Sequence, residues 1–182
     1  EEDSILFYEG KVANWRGIII TAAPTPGDSL KYVRVSGSTK TGEDGGGLLL
    51  HASVKVDNSV VRNCSTTRSG GGTYGGTLTN CTITGNSSYW EGGGTNSGTL
   101  TNCTISGNTA TSWGGGSNGG TLTNCTISGN TCGWSGGGTN SGTLTNCTIS
   151  GNTANHNSGG ADNGTLTNCT ITGNTANNNG GG

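Results

Sequence analysis

The chain has 182 residues, of which 38 are glycine and 10% are charged, and its formal net charge is −2. Eight Lys and Arg residues are too few to form the basic surface on which nucleic-acid affinity depends. No apolar run approaches the roughly 18 residues of a membrane-spanning helix. We therefore expect neither a nucleic-acid partner nor insertion of this chain into a membrane.

The N-terminal part is less regular than the rest. Residues 1–14 contain one short apolar stretch, which predicts an N-terminal strand stub. Residues 15–69 contain a second apolar stretch and then a segment in which Val33 and Val35 fall at the core positions of the later repeats. We interpret this part as less regular coils of the same architecture.

From residue 70 to residue 182 a unit of 22 residues repeats. Its most constant part is Thr-Leu-Thr-Asn-Cys-Thr-Ile-Ser-Gly-Asn, seen at 99–108. A fixed period of this size predicts stacked structural units. Carried backwards, the period aligns residues 48–50 with 70–72 and predicts an unbroken register from residue 48 onward. The repeats end in a partial coil without a cap, formed by Gly180, Gly181 and Gly182.

Each unit is predicted to form three strands, because Thr, Asn and Gly are poor helix formers and no helical period occurs. Leu100, Cys103 and Ile105 point inward, and Asn102 makes the bend between two strands, since Asn tolerates left-handed backbone angles. The expected fold is all-β, a single-stranded parallel β-helix, or β-solenoid, of about seven coils. The usual handedness of parallel crossovers favours a right-handed coil.

Two files of equivalent residues are expected to stabilise the stack. The bend asparagines should hydrogen-bond from coil to coil, and the repeat cysteines should form a ladder of buried free thiols that act as small apolar residues. Cys132 aligns with alanines and is expected to be another inward filler. Without Cys-x-x-Cys or paired histidines, we expect no metal and no cofactor. The two files are Asn80, Asn102, Asn124, Asn146 and Asn168, and Cys81, Cys103, Cys125, Cys147 and Cys169.

The repeat resembles right-handed parallel β-helix surface proteins, particularly the polymorphic outer-membrane adhesins, which are autotransporter passengers. Those repeats pair a Gly-Gly-Ala-aliphatic motif with Phe-x-x-Asn. The counterparts here are Gly-Gly-Gly-Thr at 92–95 and Ile-Ser-Gly-Asn at 105–108. Ile replaces Phe, and Thr replaces the aliphatic residue. The resemblance extends over nearly the whole chain from Trp15 and implies an extracellular or cell-surface location.

Many parallel β-helices cleave polysaccharides, which normally requires two carboxylates at one cleft. In the regular coils only Glu91 and Asp162 are acidic, and they occupy different repeat positions several coils apart. We therefore predict no catalytic residues and no enzyme. The one alternative grouping of charges, for which solvated surface residues are the simpler interpretation, consists of Asp44, Asp57, Arg34 and Arg62.

Aromatic residues recur at one edge of the repeat. Exposed rings there would form an edge for surface glycans or for a neighbouring rod, since amphipathic aromatic residues are favoured at interfaces. The alternative is that the rings fold back and cover the core. The candidate edge consists of Tyr89, Trp90, Trp113, Trp134 and His156.

The leading functional hypothesis is a non-enzymatic extracellular structural protein whose uncapped ends stack head to tail into a homopolymeric filament. A glycan-binding adhesin is the first alternative. Ice binding by the regular Thr files is the second. The residues predicted for the end-to-end contact are Ile5, Leu6, Phe7 and Tyr8 at one end, and Gly180, Gly181 and Gly182 at the other.

Overall fold

The structure is a computed structural model that describes residues 5–8, 15–22 and 29–182. Every regular element in these ranges is a β-strand of two to four residues. The strands stack in parallel into four sheets, which we number 1 to 4 in the order in which the chain passes through each coil. The predicted all-β parallel solenoid of about seven coils is thus confirmed.

Sheets 2 and 3 carry the conserved spacing of the repeat. In sheet 2 each strand from the third onward reads Thr-Leu-Thr, and in sheet 3 the corresponding strands read Thr-Ile-Ser or Thr-Ile-Thr. Sheet 2 consists of Ser29–Lys31, Lys55–Asp57, Thr77–Thr79, Thr99–Thr101, Thr121–Thr123, Thr143–Thr145 and Thr165–Thr167. Sheet 3 consists of Ile5–Tyr8, Val33–Ser36, Val60–Arg62, Thr82–Thr84, Thr104–Ser106, Thr126–Ser128, Thr148–Ser150 and Thr170–Thr172.

Sheets 1 and 4 are made of shorter strands on either side of the glycine-rich turn. Sheet 1 consists of Ile18–Ile20, Leu48–Leu50, Thr73–Tyr74, Thr95–Asn96, Ser117–Asn118, Thr139–Asn140 and Ala161–Asp162. Sheet 4 consists of Thr39–Lys40, Ser65–Thr66, Ser87–Ser88, Thr109–Ala110, Thr131–Cys132, Thr153–Ala154 and Thr175–Ala176.

The coil has four strands where the sequence predicts three. The additional strand is that of sheet 4, whose two residues are too few to show an alternating pattern. The three glycines of each unit also differ from the prediction, because sheet 1 begins only after them, at Thr95 and its equivalents. A Cβ on Gly94 would lie 2.9 Å from Asn108 Nδ2 and 3.0 Å from Ile105 Cγ2, so the glycine segment passes directly over the interior.

The register from residue 48 onward is not unbroken, so that prediction is wrong. Leu48 pairs with Thr73, an offset of 25 residues, whereas Val56 pairs with Leu78, an offset of 22. The three extra residues lie in the turn between sheets 1 and 2. There the His51 ring Nδ1 accepts a hydrogen bond from the Ser53 backbone N–H at 3.2 Å, and Val54 N–H donates to His51 O at 3.0 Å. A self-contained turn absorbs the insertion, and the strands on both sides keep their pairing.

The bend between sheets 2 and 3 is made by a left-handed asparagine in six successive coils. Asn102 has φ 54°, which Asn adopts more readily than other residues with a side chain. Its Nδ2 donates to Asn80 Oδ1 at 3.3 Å, and the same contact repeats along the rod on the exposed surface. The file with positive φ consists of Asn58, Asn80, Asn102, Asn124, Asn146 and Asn168.

The interior is a narrow stack of equivalent side chains. Leu100, Cys103 and Ile105 are each no more than 2% exposed, and so are their counterparts in the neighbouring regular coils. Val35 pairs with Val61, which pairs with Ile83, so the irregular coils place valines at the same core position. One 22-residue unit therefore supplies the same apolar contacts to the coil above and to the coil below.

A second file of asparagines lies inside the coil, at the turn from sheet 3 to sheet 4. Asn108 Nδ2 donates to Ile83 O and to Asn130 Oδ1, both at 3.0 Å, and Asn108 N–H donates to the same Oδ1 at 2.9 Å. Cys64 N–H donates to Asn86 Oδ1 at 2.9 Å, so a cysteine occupies this position at the start of the file. Each amide satisfies backbone groups that would otherwise be buried without partners.

The seven cysteines are free thiols, and six of them are buried. Cys103 Sγ donates to Thr101 O at 3.3 Å and accepts from the Cys81 N–H at 3.4 Å. Cys132 pairs with Ala110 below and Ala154 above, in a small buried cluster of its own. Burial raises the pKa of the Cys132 thiol from 9.0 to about 11, because the interior disfavours the thiolate.

Replacement of a buried file asparagine should destabilise the fold. In Asn130→Ala the Asn108 N–H loses its acceptor and Ile105 O loses a donor. Because a buried polar group without a partner costs about 1–3 kcal/mol, we expect a loss of at least 3 kcal/mol in the free energy of unfolding. Asn140→Ala, which removes one half-buried side-chain contact, serves as the control in urea unfolding. Equal losses in the two variants would contradict a structural role for the interior file.

The alkaline stability of the protein should depend on Cys132. Its folded pKa of about 11 lies above the ordinary 9.0, so its contribution is complete below pH 9 and is lost as the pH rises towards 11. Cys132→Ala introduces the residue of the adjacent coils and removes this loss, which amounts to about 2–3 kcal/mol. Unfolding under reducing conditions at pH 8 and pH 10.5 measures the difference. Parallel pH dependence in the two proteins would show that the thiol does not contribute.

Candidate functional site

The predicted aromatic edge lies on the turn from sheet 4 to sheet 1. Trp90 is 53% exposed, Trp113 37% and Trp134 52%, and Tyr89 is 61% exposed. The rings thus project from the rod and do not cover the interior. The fold explains this position, because the glycine segment that follows occupies the space over the core.

Backbone hydrogen bonds hold the edge residues in two adjacent files. Trp90 O accepts from Ser112 N–H at 3.0 Å, and Ser112 O accepts from Trp134 N–H at 2.9 Å, so the two indoles lie two coils apart. Trp113 belongs to the neighbouring file, where it pairs in parallel with Glu91. The two files place all three indoles at one corner of the rod.

Two ring contacts organise the edge. Trp134 and His156 stack with a centroid separation of 4.6 Å and an interplanar angle of 12°. The His156 Nδ1 lies 3.2 Å from Asn178 Nδ2. Tyr89 meets Trp90 edge to face at 6.2 Å. The structure therefore brings the predicted residues together as a group of local pairs along one edge.

An open depression of about 460 Å³ lies at the N-terminal end of this edge. It extends over three coils and is bounded by carboxylates, a guanidinium, amides and aromatic rings. Its lining residues are Asp44, Arg68, Ser69, Tyr74, Trp90, Glu91 and Asn96.

Hydrogen bonds fix the two carboxylates of the depression. Asp44 Oδ1 accepts from the Ser69 backbone N–H at 3.0 Å and lies 3.7 Å from Arg68 Nε. Glu91 Oε2 accepts from Asn118 Nδ2 at 3.0 Å and, more weakly, from Asn96 Nδ2 at 3.5 Å. Only Trp90 among the lining residues belongs to the predicted site.

The register explains why sequence reasoning missed this depression. Gly45 N–H donates to Ser69 O, and Gly70 N–H donates to Glu91 O, both at 2.9 Å, so Asp44 lies two coils from Glu91 at the same corner. A constant offset of 22 residues would instead align Asp44 with Thr66 and Ser88. A test of other offsets around the Gly45–Gly47 triplet was the available signal, since the later glycine triplets mark this corner in every coil.

The charge grouping predicted on the irregular coils is not brought together. Asp57 lies in sheet 2, Arg34 and Arg62 lie in sheet 3, and Asp44 lies at the corner between sheets 4 and 1. This arrangement corrects the predicted pairing of Asp44, because its neighbours are Arg68 and Ser69. Asp162 lies in the last strand of sheet 1, away from Glu91 along the rod.

A buried lysine lies close to the depression. Lys40 is fully buried in sheet 4, at the interior position that Thr66 and Ser88 occupy in the next coils. Its Nζ donates to Asp44 O at 3.3 Å. Desolvation lowers the pKa of Lys40, and the charge of Glu43 partly opposes this shift. The lysine thus connects the interior to the backbone of a lining residue.

The threonine files occupy outward positions on sheets 2 and 3. Thr121 and Thr143 are exposed on sheet 2, and Thr126 and Thr148 are exposed on sheet 3. The left-handed Asn124 and its equivalents separate the two sheets, so the threonines form two faces. Ice binding by these faces stays a prediction.

The two ends of the described rod present sheet edges. The strand at Ile5–Tyr8 pairs in parallel with Val33–Ser36 and is the first strand of sheet 3. At the other end, Gly180 O and Gly181 O accept from Gly159 and Gly160 N–H, both at 3.0 Å. The predicted contact between these ends stays a prediction.

The part of the chain that the structure describes contains no group of three or more His, Cys, Asp or Glu residues that could hold a metal ion. In the same residues no helix is long and apolar enough to cross a membrane. Neither finding changes the description of the site.

Comparison with known proteins places the fold. A family profile described as "Right handed beta helix region" matches residues 69–182, which is more than half of the chain. Comparisons with curated proteins and with solved structures yield no match. The matched residues are the regular coils, and the parallel register continues from them into the earlier strands. The chain therefore belongs to the right-handed β-helix family.

Proposed function

We propose that the protein is a non-enzymatic, adhesin-like β-helix of the cell surface that binds glycans along its aromatic edge. A right-handed β-helix is consistent with a structural or adhesin-like repeat protein. The observation that supports glycan binding is the exposure of Trp90, Trp113 and Trp134 at one corner. Exposed aromatic residues that are grouped on a rigid scaffold indicate an interaction site.

The spacing of the edge suits an extended ligand. Trp90 and Trp134 are separated by two coils, which corresponds to about 9.6 Å at the spacing of adjacent strands. The flat, apolar faces of pyranose rings stack on indoles, and the hydroxyl groups remain available for hydrogen bonds. A chain of linked sugars running parallel to the rod could contact the indoles in succession.

The chemistry of the interior is compatible with a surface location. Six of the seven cysteines are buried, so their thiols are shielded from oxidants and from exchange with other thiols. The regular coils also expose Thr, Ser, Asn and Gly with very few charges. Such a surface presents many neutral hydrogen-bonding groups beside the aromatic edge.

Removal of the indoles should abolish glycan binding. On an array of neutral, acidic and amino-sugar oligosaccharides, we expect binding by the unmodified protein and a loss of at least tenfold in Trp113→Ala with Trp134→Ala. Ile19→Ala, which removes an exposed apolar side chain from sheet 1, serves as the control. Circular dichroism checks that the variants keep their β-structure. Absence of binding to every oligosaccharide, or equal binding by all proteins, would refute the proposal.

A second candidate function is end-to-end association of two copies into a filament. Ile171 is 38% exposed, although the equivalent Ile149 and Ile127 are fully buried. Its strand, Thr170–Thr172, pairs on one side only within the described residues. A further coil in the same register would cover the isoleucine and pair the strand, and a second copy of the chain could supply it.

Association would depend on the exposed isoleucine. We expect rods that lengthen with protein concentration in electron micrographs, together with an increasing sedimentation coefficient. Ile171→Lys should reduce both effects, because it places a charge where the next coil would pack. Thr172→Lys adds the same charge on the outer face of the same strand and should have less effect. Single rods of one length at all concentrations would exclude this candidate.

A further inference from the structure

We propose that the depression bounded by Asp44, Arg68, Tyr74, Trp90 and Glu91 is a binding site for an amino sugar, a pyranose that carries a free ammonium group. This inference rests on the proposed glycan binding and assigns a sugar class to the N-terminal end of the aromatic edge. Its basis is a cavity in which oriented carboxylates lie beside two aromatic rings.

The charges of the lining favour a cation. Asp44 and Glu91 contribute two negative charges and Arg68 contributes one positive charge, so the lining carries a net charge of −1. Arg68 is 3.7 Å from Asp44, whereas Glu91 has no cationic side chain within 4.0 Å among the described residues. An ammonium group would complete the pairing of Glu91. A uronic acid would add a second unpaired negative charge and should be disfavoured.

The Glu91 carboxylate is held in position before any ligand arrives. Its Oε2 accepts from Asn118 Nδ2 at 3.0 Å, and Asn96 Nδ2 lies 3.5 Å away. Asn96 is itself buried, and its Oδ1 accepts from the Ser97 hydroxyl at 2.7 Å. The amides orient the carboxylate without neutralising its charge. A charge-assisted hydrogen bond to a ligand ammonium would therefore need little rearrangement.

The aromatic side chains supply the apolar part of the site. Trp90 is half exposed and meets Tyr89 edge to face, so the rest of its ring surface remains open. Tyr74 lines the same depression from sheet 1. An indole beside a carboxylate attracts a cation through its ring face as well, which adds to the preference for an amino sugar over a neutral one.

The test compares three hexasaccharides of glucosamine, glucose and galacturonic acid by calorimetry at pH 6, where the amine is charged. We expect the glucosamine chain to bind the full-length protein most tightly and the galacturonic acid chain least. Glu91→Gln should weaken glucosamine binding about tenfold or more and should remove its salt dependence. Asp162→Asn, the same change of charge at the other acidic residue of the regular coils, should leave binding unchanged.

The outcomes separate this inference from the proposed function. Equal binding of the glucosamine and glucose chains, or equal effects of Glu91→Gln and Asp162→Asn, would overturn the amino-sugar assignment and leave glycan binding intact. Glucosamine binding that is lost in Glu91→Gln but retained in Trp113→Ala with Trp134→Ala would support the site and count against the extended aromatic edge. No binding of any hexasaccharide would overturn the amino-sugar site.

Discussion

The whole structure depends on the stacking of each side chain on its equivalent in the adjacent coil. Leu100 contacts leucines, Ile105 contacts isoleucines, and Asn108 donates to Asn130 while accepting from Asn86. With so few large apolar residues, the chain cannot form a conventional wide core. A strict register compensates, because every coil buries the same narrow set and satisfies its own turn. The interior amides are therefore as necessary to this fold as the apolar residues.

Much of the fold could be predicted because the repeat itself encodes the direction of its side chains. Leu100, Cys103 and Ile105 follow the spacing of two inward-facing strands, and Asn102 marks the bend between them. The strand of sheet 4 was missed, since Thr109–Ala110 has only one inward residue and that residue is small. The irregular coils were harder still, because a turn insertion changes the offset without altering any core position.

The candidate site was predictable only in part, and the reason is geometric. Trp90, Trp113 and Trp134 belong to the regular period, so their common corner follows from counting residues. Asp44 reaches the same corner from a coil with another offset, and Arg68 and Tyr74 line it from the coil between. Sequence spacing could not bring these residues to Trp90 without the three-dimensional register. Function therefore accumulates here at the junction between irregular and regular coils.

The uniform pairing of the regular coils also bears on how such a chain can change over generations. Because Thr99–Thr101 meets the same three residues on either side, a tandem duplication of one unit would insert a coil whose contacts already exist. A deletion of one unit would likewise leave matching surfaces to rejoin. Rod length is thus open to variation by recombination between near-identical segments of the gene. The depression around Glu91, which is built from coils with unequal offsets, has no such freedom and would keep its place as the rod lengthens or shortens.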